Sequence, residues 1–251
     1  MHFLITNDDG IQAPGLKTLA EAALSAGHRV TIAAPASEQS ATSHRLTLNA
    51  PMLAYEYPFP GAAAYAIDGT PVDCVRIGLS IAEAPVDFCL SGINDGVNVG
   101  TAIIYSGTAA AAREAAMMYV PSLAVSLGYG NTQEMRTHLA KMALRLASYL
   151  ASHPMPRLTF GNLNAPAVVP RELKPLRLAA ISDSFYRNGY VKRVSPRGAA
   201  YFWIDDNTNL EPPAPGTDLA LLDLGHPTLT FVGGFQNNNA AFPGLPEALE
   251  G

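Results

Sequence analysis

Two adjacent acidic residues, Asp8 and Asp9, follow a short apolar segment at the start of the chain. Because that segment predicts a buried β-strand, the two carboxylates repel each other and lose hydration at its end. A divalent cation bound by both would relieve both penalties. Side chains along a strand alternate between faces, so sharing an ion requires a turn, which Gly10 permits. The pattern indicates a metal site, although Asn-Asp-Asp-Gly alone is also typical of a simple turn.

Two further oxygen-bearing side chains belong to loops that follow predicted strands. Ser40 lies in the loop after the second strand, and Asn94 follows the strand that ends at Leu90. In an open parallel sheet, ligands bind beyond the carboxyl ends of the strands. Carboxylate, hydroxyl and amide oxygens suit magnesium, manganese or calcium rather than zinc. Taken singly these are ordinary loop residues, but their shared location predicts that they bind one cation together with Asp8 and Asp9.

A third element is Tyr105-Ser-Gly-Thr108, which directly precedes an alanine-rich helix. Small residues at a helix N-terminus expose N–H groups and the positive end of the helix dipole, which favours an anion such as phosphate. Ser106, Gly107 and Thr108 are therefore candidates for phosphate binding. The alternative is plain helix capping by Ser106. For Asp73, early in another helix, initiation of the helix is at least as good an interpretation as contact with a ligand.

Apolar strands alternate with helices through the first half of the chain, which predicts a parallel sheet covered on both faces. The predicted strands are residues 2–6, 28–33, 86–90 and 122–127, and the predicted helices are residues 14–26, 71–81 and 107–118. Asn131-Thr-Gln-Glu134 resembles a capping box and predicts that a longer helix follows. Residues 1–153 form the predicted α/β core.

The composition changes after His153, where strand-like segments predominate. They are residues 158–164, 176–181, 199–204 and 219–222. Asn188-Gly189 is a strong signal for a hairpin turn between two of them. We predict a β-rich extension over residues 154–232 and a loosely ordered tail over residues 233–251. The basic residues from Arg187 to Arg197 either attract a phosphate substrate or form a solvated hairpin.

The overall composition restricts the class of partner. The chain has 251 residues, 48% of them hydrophobic and 15% charged, with a net charge of −5. This balance argues against a nucleic-acid polymer or an anionic membrane as the main partner, because both require a basic face. Cys74 and Cys89 form no metal-binding or disulfide pattern, and the sequence shows no signal peptide or membrane span. We therefore expect a cytoplasmic protein.

Several ordered motifs over about 125 residues resemble the SurE family of metal-dependent 5′-nucleotidases and acid phosphatases. The matching segments are Thr6–Gly10, Ala13–Gly15, Ala34-Pro35, Ser40–Ser43, Leu46–Leu48, Gly69–Val75, Ser91–Asn94, Tyr105–Thr108 and Pro121–Ser126. The resemblance implies a Rossmann-like, doubly wound core and one divalent cation per subunit, Mg²⁺ or Mn²⁺, held by Asp8, Asp9, Ser40 and Asn94. The family usually has glycine where this chain has Tyr119.

The resemblance also implies the activity and the assembly. Its members hydrolyse nucleoside monophosphates, with a relaxed preference that can extend to 3′-nucleotides and polyphosphate. They form homodimers or homotetramers that exchange a C-terminal arm between subunits.

Our mechanistic hypothesis is hydrolysis of a phosphomonoester by metal-assisted attack of water. Asp8 or Asp9 would orient or deprotonate the water, and Asn7 would assist by hydrogen bonding. Asn98 and His44 are candidates for the loop that contacts the substrate.

Two alternatives remain open at this point. In the first, Asp8 is a covalent nucleophile that forms an aspartyl-phosphate, although such enzymes normally place a second aspartate where Gly10 stands. In the second, the protein is a non-catalytic module that binds a nucleotide or a metal.

Overall fold

The computed structural model describes residues 1–153, 155–183, 189–205 and 212–233. The strands are β1 (His2–Thr6), β2 (Arg29–Pro35), β3 (Ala54–Glu56), β4 (Ala63–Ile67), β5 (Phe88–Asp95), β6 (Ser122–Leu127), β7 (Phe160–Ala165), β8 (Arg177–Leu178), β9 (Tyr190–Val194), β10 (Ala200–Ile204) and β11 (Thr228–Val232). The α-helices are α1 (Pro14–Ser25), α2 (Pro71–Ile81), α3 (Gly107–Met117), α4 (Gln133–Ser152) and α5 (Asp218–Asp223). Short 3-10 helices cover Gly100–Ile104 and Pro170–Glu172.

Within these ranges, nine strands form one sheet in the order β3-β4-β2-β1-β5-β6-β7-β11-β8. The six strands from β4 to β7 are parallel, whereas β3 and β11 run antiparallel to their neighbours β4 and β7. The order of the strands reverses at β1, which has β2 on one side and β5 on the other. In sheets of this type a ligand crevice opens at such a switch point. The predicted α/β class with a doubly wound, mostly parallel sheet is confirmed.

The two faces of the sheet have separate apolar cores. Alternate residues of β1 pack in the two cores. Phe3 and Ile5 pack in the core that includes α1 and α4, and Leu4 packs with α2 and α3. This alternation is why a strand buried on both sides is a continuous apolar run. No helix in the described ranges is long and apolar enough to cross a membrane.

The predicted strand at 86–90 is too short, and this matters for the site. Strand β5 continues to Asp95, and its pairing with β6 shifts register between Ser91 and Asn94. Such an irregularity bends a strand and re-aims its side chains. The prediction stopped at Leu90 because the residues after it are small or polar. Asn94 therefore lies inside the end of the strand and not in the loop after it.

The C-terminal part joins the main sheet more closely than the predicted division at residue 153 implies. Strands β7, β8 and β11 are hydrogen-bonded members of that sheet, and the hairpin of β9 and β10 stands apart as a two-stranded sheet. The hairpin of β9 and β10 turns at Ser195–Ala199, with Gly198 at φ +82°. The turn predicted at Asn188-Gly189 falls partly outside the described residues. Asn188 and Arg187 lie outside the described residues, as does the tail from residue 234 onward.

The predicted strand at 219–222 is wrong, because these residues belong to helix α5. A four-residue apolar run does not distinguish a strand from a buried helical turn. Asp218, the first residue of α5, ties the start of this helix to two other segments. Its carboxylate accepts hydrogen bonds from the N–H groups of Leu219, Ser182 and Gly100.

Tyr119, which stands where the resemblance leads one to expect glycine, has a φ of +62°. This is the left-handed conformation that glycine adopts without steric cost. The Tyr119 side chain has its own contacts, because Arg157 donates to its hydroxyl at 2.7 Å and lies over its ring.

Candidate metal and phosphate site

A cavity of about 540 Å³ lies at the carboxyl edge of the sheet, where the ends of β1, β2 and β5 meet. All four predicted metal ligands line it, namely Asp8, Asp9, Ser40 and Asn94. The volume lies within the range of about 300–1,000 Å³ that is typical of small-molecule sites. The structure thus brings together oxygen atoms from three separate segments of the chain.

The Asn7 side chain holds the turn after β1 and does not point into the cavity. The Asn7 side chain donates to the Gly10 carbonyl at 2.9 Å and accepts from the Gly10 N–H at 3.2 Å. Gly10 has a φ of +99°, which favours glycine. The carbonyl of Asp8 accepts from the N–H of Gln39 at 2.8 Å, which ties this turn to the loop after β2. Asn7 is fully buried and does not line the cavity, so it shapes the turn that presents Asp8 and Asp9.

Asp8 lies against the N-terminus of α3. Its carboxylate accepts hydrogen bonds from the Thr108 hydroxyl and from the backbone N–H groups of Gly107 and Thr108. A Cβ atom at Gly107 would lie 2.7 Å from the Asp8 Cβ, so only glycine allows this close approach. Burial raises the pKa of Asp8 above its ordinary value, and these hydrogen bonds oppose the shift.

This arrangement revises the predicted phosphate cradle. The donors of Gly107 and Thr108 are directed at Asp8, because a buried carboxylate is itself an anion that the positive end of a helix attracts. Ser106 does line the cavity, and its hydroxyl oxygen accepts from the Ala109 N–H at 3.0 Å. Its proton therefore remains available to a ligand.

Asp9 faces an environment rich in negative charge. Burial, followed by the charge of Asp8, raises the pKa of Asp9 to about 7, and the carboxylates of Asp95 and Glu38 add to the shift. The N–H of Asp95 contacts Asp9 Oδ2 at a long 3.4 Å. Four carboxylates line this cavity, whereas no Lys or Arg of the described chain does so.

The donor set fits a hard divalent cation. Asp8 and Asp9 form none of the ion pairs found among the described residues, and like charges buried together require a cation to stay ionised. Ser40 donates its hydroxyl proton to Glu38 at 2.6 Å, and Asn94 donates from its amide nitrogen to Gly96 at 2.8 Å. Both therefore keep an oxygen for a cation. An all-oxygen set suits Mg²⁺, Mn²⁺ or Ca²⁺.

His44 does not line the cavity, and its position explains how the loop of Ser40 is held. The His44 Nε2 lies 2.8 Å from a carboxylate oxygen of Glu114, and the other oxygen accepts from Arg76 at 2.6 Å. Burial alone would raise the pKa of Glu114, but the hydrogen bond from His44 and the charge of Arg76 outweigh it and lower the pKa.

Asp73 fastens the same loop at a second point. Its carboxylate accepts from the N–H and hydroxyl of Thr47 at 3.0 and 2.7 Å, while Thr70 and Asp73 form a capping box. The structure thus supports helix initiation by Asp73, together with loop anchoring that the sequence did not indicate.

Asn98 lines the cavity and is fixed by the polar residues of β7. Its N–H donates to Asn164 at 2.7 Å, and its carbonyl accepts from Asn162 at 2.8 Å. Its side-chain amide donates to Ser126 at 2.9 Å. Two buried asparagines in an otherwise apolar strand were a usable signal for this anchoring.

Sequence reasoning assigned no role to the acidic and aromatic residues of the cavity wall, namely Glu38, Asp95, Tyr129 and Tyr105, of which only Tyr105 belongs to a predicted element. It also missed Glu114, although a single carboxylate among the alanines of α3 is a recognisable signal for a buried ion pair.

The strand order and the oxygen-lined, acidic cavity at the switch point define a Rossmann-like α/β protein with a ligand site at the carboxyl edge of its sheet. A family model described as "Survival protein SurE" matches residues 3–188. The chain therefore belongs to the SurE family.

Individual relatives agree with this membership. A protein of Nitratidesulfovibrio vulgaris (strain Miyazaki F) named 5′-nucleotidase SurE is 43% identical over 227 residues, which cover 90% of this chain and 84% of the relative. A protein of the same name from Kosmotoga olearia is 38% identical and covers 100% of this chain and 99% of its own length. The crystal structure of the SurE protein from Aquifex aeolicus matches the whole chain with a TM-score of 0.83 at 30% identity, and 100% of that chain is covered.

Proposed function

We propose that this protein is a 5′-nucleotidase that hydrolyses nucleoside 5′-monophosphates with a divalent cation, Mg²⁺ or Mn²⁺, in the cavity at the end of β1. The observation that carries the proposal is the pair of buried carboxylates, Asp8 and Asp9, in a cavity whose described lining contains no cationic side chain. A phosphate dianion would be repelled from such a cavity unless a cation neutralised it. The names of the relatives, 5′-nucleotidase SurE, support the same reaction.

We assign Asp8, Asp9, Ser40 and Asn94 as the cation ligands. A bound divalent cation would act as a Lewis acid and offset the charge that develops on the phosphoryl group. Gly107 and Thr108 position Asp8, and Asn7 fixes the turn that directs both carboxylates to the cavity.

Ser106 and Asp9 are the residues that we expect to act on the substrate. The Ser106 hydroxyl proton is free to donate to a phosphate oxygen, because its oxygen already accepts from Ala109. Asp9 is less buried than Asp8 and lines the cavity, so it is the better placed of the two to orient the attacking water and accept its proton.

The covalent alternative is not favoured by the geometry. Asp8 is only 5% exposed, and its carboxylate is engaged by Thr108 and by the start of α3. A nucleophile held in this way is poorly placed for attack on an incoming phosphorus.

We also propose that the hairpin of β9 and β10 mediates a homodimer or homotetramer. Every residue of both strands is exposed, including Phe202 and Trp203 at 59% and 65%. A two-stranded ribbon with apolar groups exposed on both faces is marginally stable alone, and burial against another subunit would stabilise it.

The test of the reaction is phosphate release from nucleoside 5′- and 3′-monophosphates and from polyphosphate, with Mg²⁺, with Mn²⁺ and with chelator. We expect cation-dependent release from the 5′-nucleotides, and a loss of at least 100-fold in kcat/KM for Asp9→Asn, because removing a charged ligand weakens both cation binding and water activation. Asp68→Asn, at an exposed acid outside the cavity, is the matched control. Release that persists in chelator, or in Asp9→Asn, would contradict the proposal.

A further inference from the structure

The cavity wall carries two exposed aromatic rings that the roles assigned above leave without a function. Tyr105 and Tyr129 both line the cavity and are 60% and 79% exposed. Ligand cavities are lined predominantly by apolar and aromatic side chains, so rings at the wall of this cavity point to contact with a ligand. Tyr105 directly precedes Ser106 at the start of α3, whereas Tyr129 enters from the segment between β6 and α4.

The Tyr129 ring lies against the backbone of Gly96. A Cβ atom at Gly96 would be 2.7 Å from the Tyr129 Cζ and 2.8 Å from its hydroxyl oxygen, so a larger residue would displace the ring. Gly96 also has a φ of +119°, which itself favours glycine. The hydroxyl end of the ring thus lies close to the Gly96 backbone, and most of the side chain is open to solvent.

The segment that carries Tyr129 is fixed on both sides. The N–H of Gly128 donates to the Ala165 carbonyl at 2.9 Å, and the Asn131 side chain donates to Asp95 at 2.7 Å and to the Gly128 carbonyl at 2.9 Å. A ring on such a segment loses little conformational entropy when a ligand binds, which is the advantage of rigid tyrosines in recognition surfaces.

The ring is connected to the proposed cation site through one peptide. The Gly96 carbonyl accepts a hydrogen bond from Asn94 at 2.8 Å, and Asn94 is one of the four proposed ligands. Asp8, Asp9, Asn94 and Tyr129 line the same cavity, so a nucleotide whose phosphate lies at the proposed cation site can place its base against the Tyr129 ring. A planar base presents a π-face to this ring whatever its identity.

We propose that Tyr129 is the stacking platform for the nucleobase, and that it makes the enzyme favour nucleotides over phosphomonoesters without a base while discriminating little among bases. This inference rests on the function proposed above. It assigns to Tyr129 contact with the substrate's leaving group and no part in cation binding or in proton transfer.

The experiment compares adenosine 5′-monophosphate with ribose 5-phosphate, which has the same phosphate and sugar and no base. In Tyr129→Ala we expect kcat/KM for the nucleotide to fall by about 5- to 20-fold, the lower part of the range for a base stacked on an aromatic side chain. The loss should appear in KM, and kcat/KM for ribose 5-phosphate should stay unchanged. Tyr129→Phe keeps the ring and should behave like the unaltered protein. Tyr149→Ala, at a 58% exposed tyrosine of α4 outside the cavity, is the matched control.

A second readout does not depend on turnover. The dissociation constant of adenosine, measured by NMR titration, should rise in Tyr129→Ala and not in Tyr129→Phe. Equal losses on both substrates, or unchanged adenosine binding in Tyr129→Ala, would overturn the inference. If the unaltered protein released phosphate from neither ester, the proposed function would fail, and the adenosine titration would still decide the role of Tyr129.

Discussion

Gly107→Ala tests the geometry of the cation site separately from the stability of the fold. The added Cβ atom would lie 2.7 Å from the Asp8 Cβ and 2.9 Å from its Oδ2, with Pro71 Cγ at 3.1 Å on another side. Carbon atoms in contact are normally about 3.5 Å apart or more, so Asp8 must move by about 0.8 Å. Ligand positions in metal sites are set to about 0.2 Å, so a shift of this size misplaces a ligand. We expect Mn²⁺ affinity to fall by about 10- to 100-fold, as for other residues that orient ligands.

The matched control is Gly78→Ala in α2. Its Cβ would lie 2.7 Å from Leu4 Cδ1 and 2.8 Å from Ala33 Cβ, which is similar crowding in the core far from the cavity. Each variant should lose about 1–3 kcal/mol of unfolding free energy through overpacking. Urea unfolding in chelator measures that loss, and calorimetric titration with Mn²⁺ measures affinity. The reasoning is refuted if both variants lose stability but Gly107→Ala binds Mn²⁺ as tightly as Gly78→Ala.

Three further predictions concern charge and assembly. Burial raises the pKa of Asp8 and Asp9, the latter to about 7 from 3.8, so the folded metal-free protein holds more protons than the unfolded chain in that interval. Their contribution to the unfolding free energy in chelator should therefore fall as pH rises from about 4 to about 7. Urea unfolding of the unaltered protein and of Asp9→Asn isolates this contribution, and an identical pH dependence of the two would contradict the assignment. Glu114→Gln should lose about 1–3 kcal/mol at neutral pH, because a charged acceptor for Arg76 and His44 is removed, and should also weaken Mn²⁺ binding through the loop of Ser40. Glu21→Gln, at an exposed acid, is its control, and equal unfolding midpoints would argue against this anchoring. Trp203→Glu should shift the protein to monomer in light scattering, and an unchanged mass would remove the hairpin from the interface.

The sequence predicted the parallel core well because each of its elements carries a strong local signal. The apolar run of β1 is an example, and β6 was predicted with the bounds that the structure shows. Weaker signals failed where tertiary contacts decide. The run 219–222 is helical, and the start of that helix is held by Asp218, which accepts from the N–H groups of Ser182 and Gly100 in distant segments.

The sequence predicted the proposed ligands of the site, but not the residues that hold those ligands in place. Oxygen-bearing residues at strand ends are visible in a sequence, since strand ends converge in any parallel sheet. The orientation of Thr108 towards Asp8 was not visible, because a short Ser-Gly-Thr segment serves a phosphate or a carboxylate equally well. The cavity-lining role of Tyr129 depends on contact with Gly96, which lies 33 residues earlier in the chain.

The most direct test of the central proposal is anomalous diffraction from crystals grown with Mn²⁺. We expect one strong peak in the cavity, at coordination distance from oxygen atoms of Asp8, Asp9, Ser40 and Asn94. A cation bound elsewhere, or a peak that Asp8 and Asn94 cannot reach together, would contradict it.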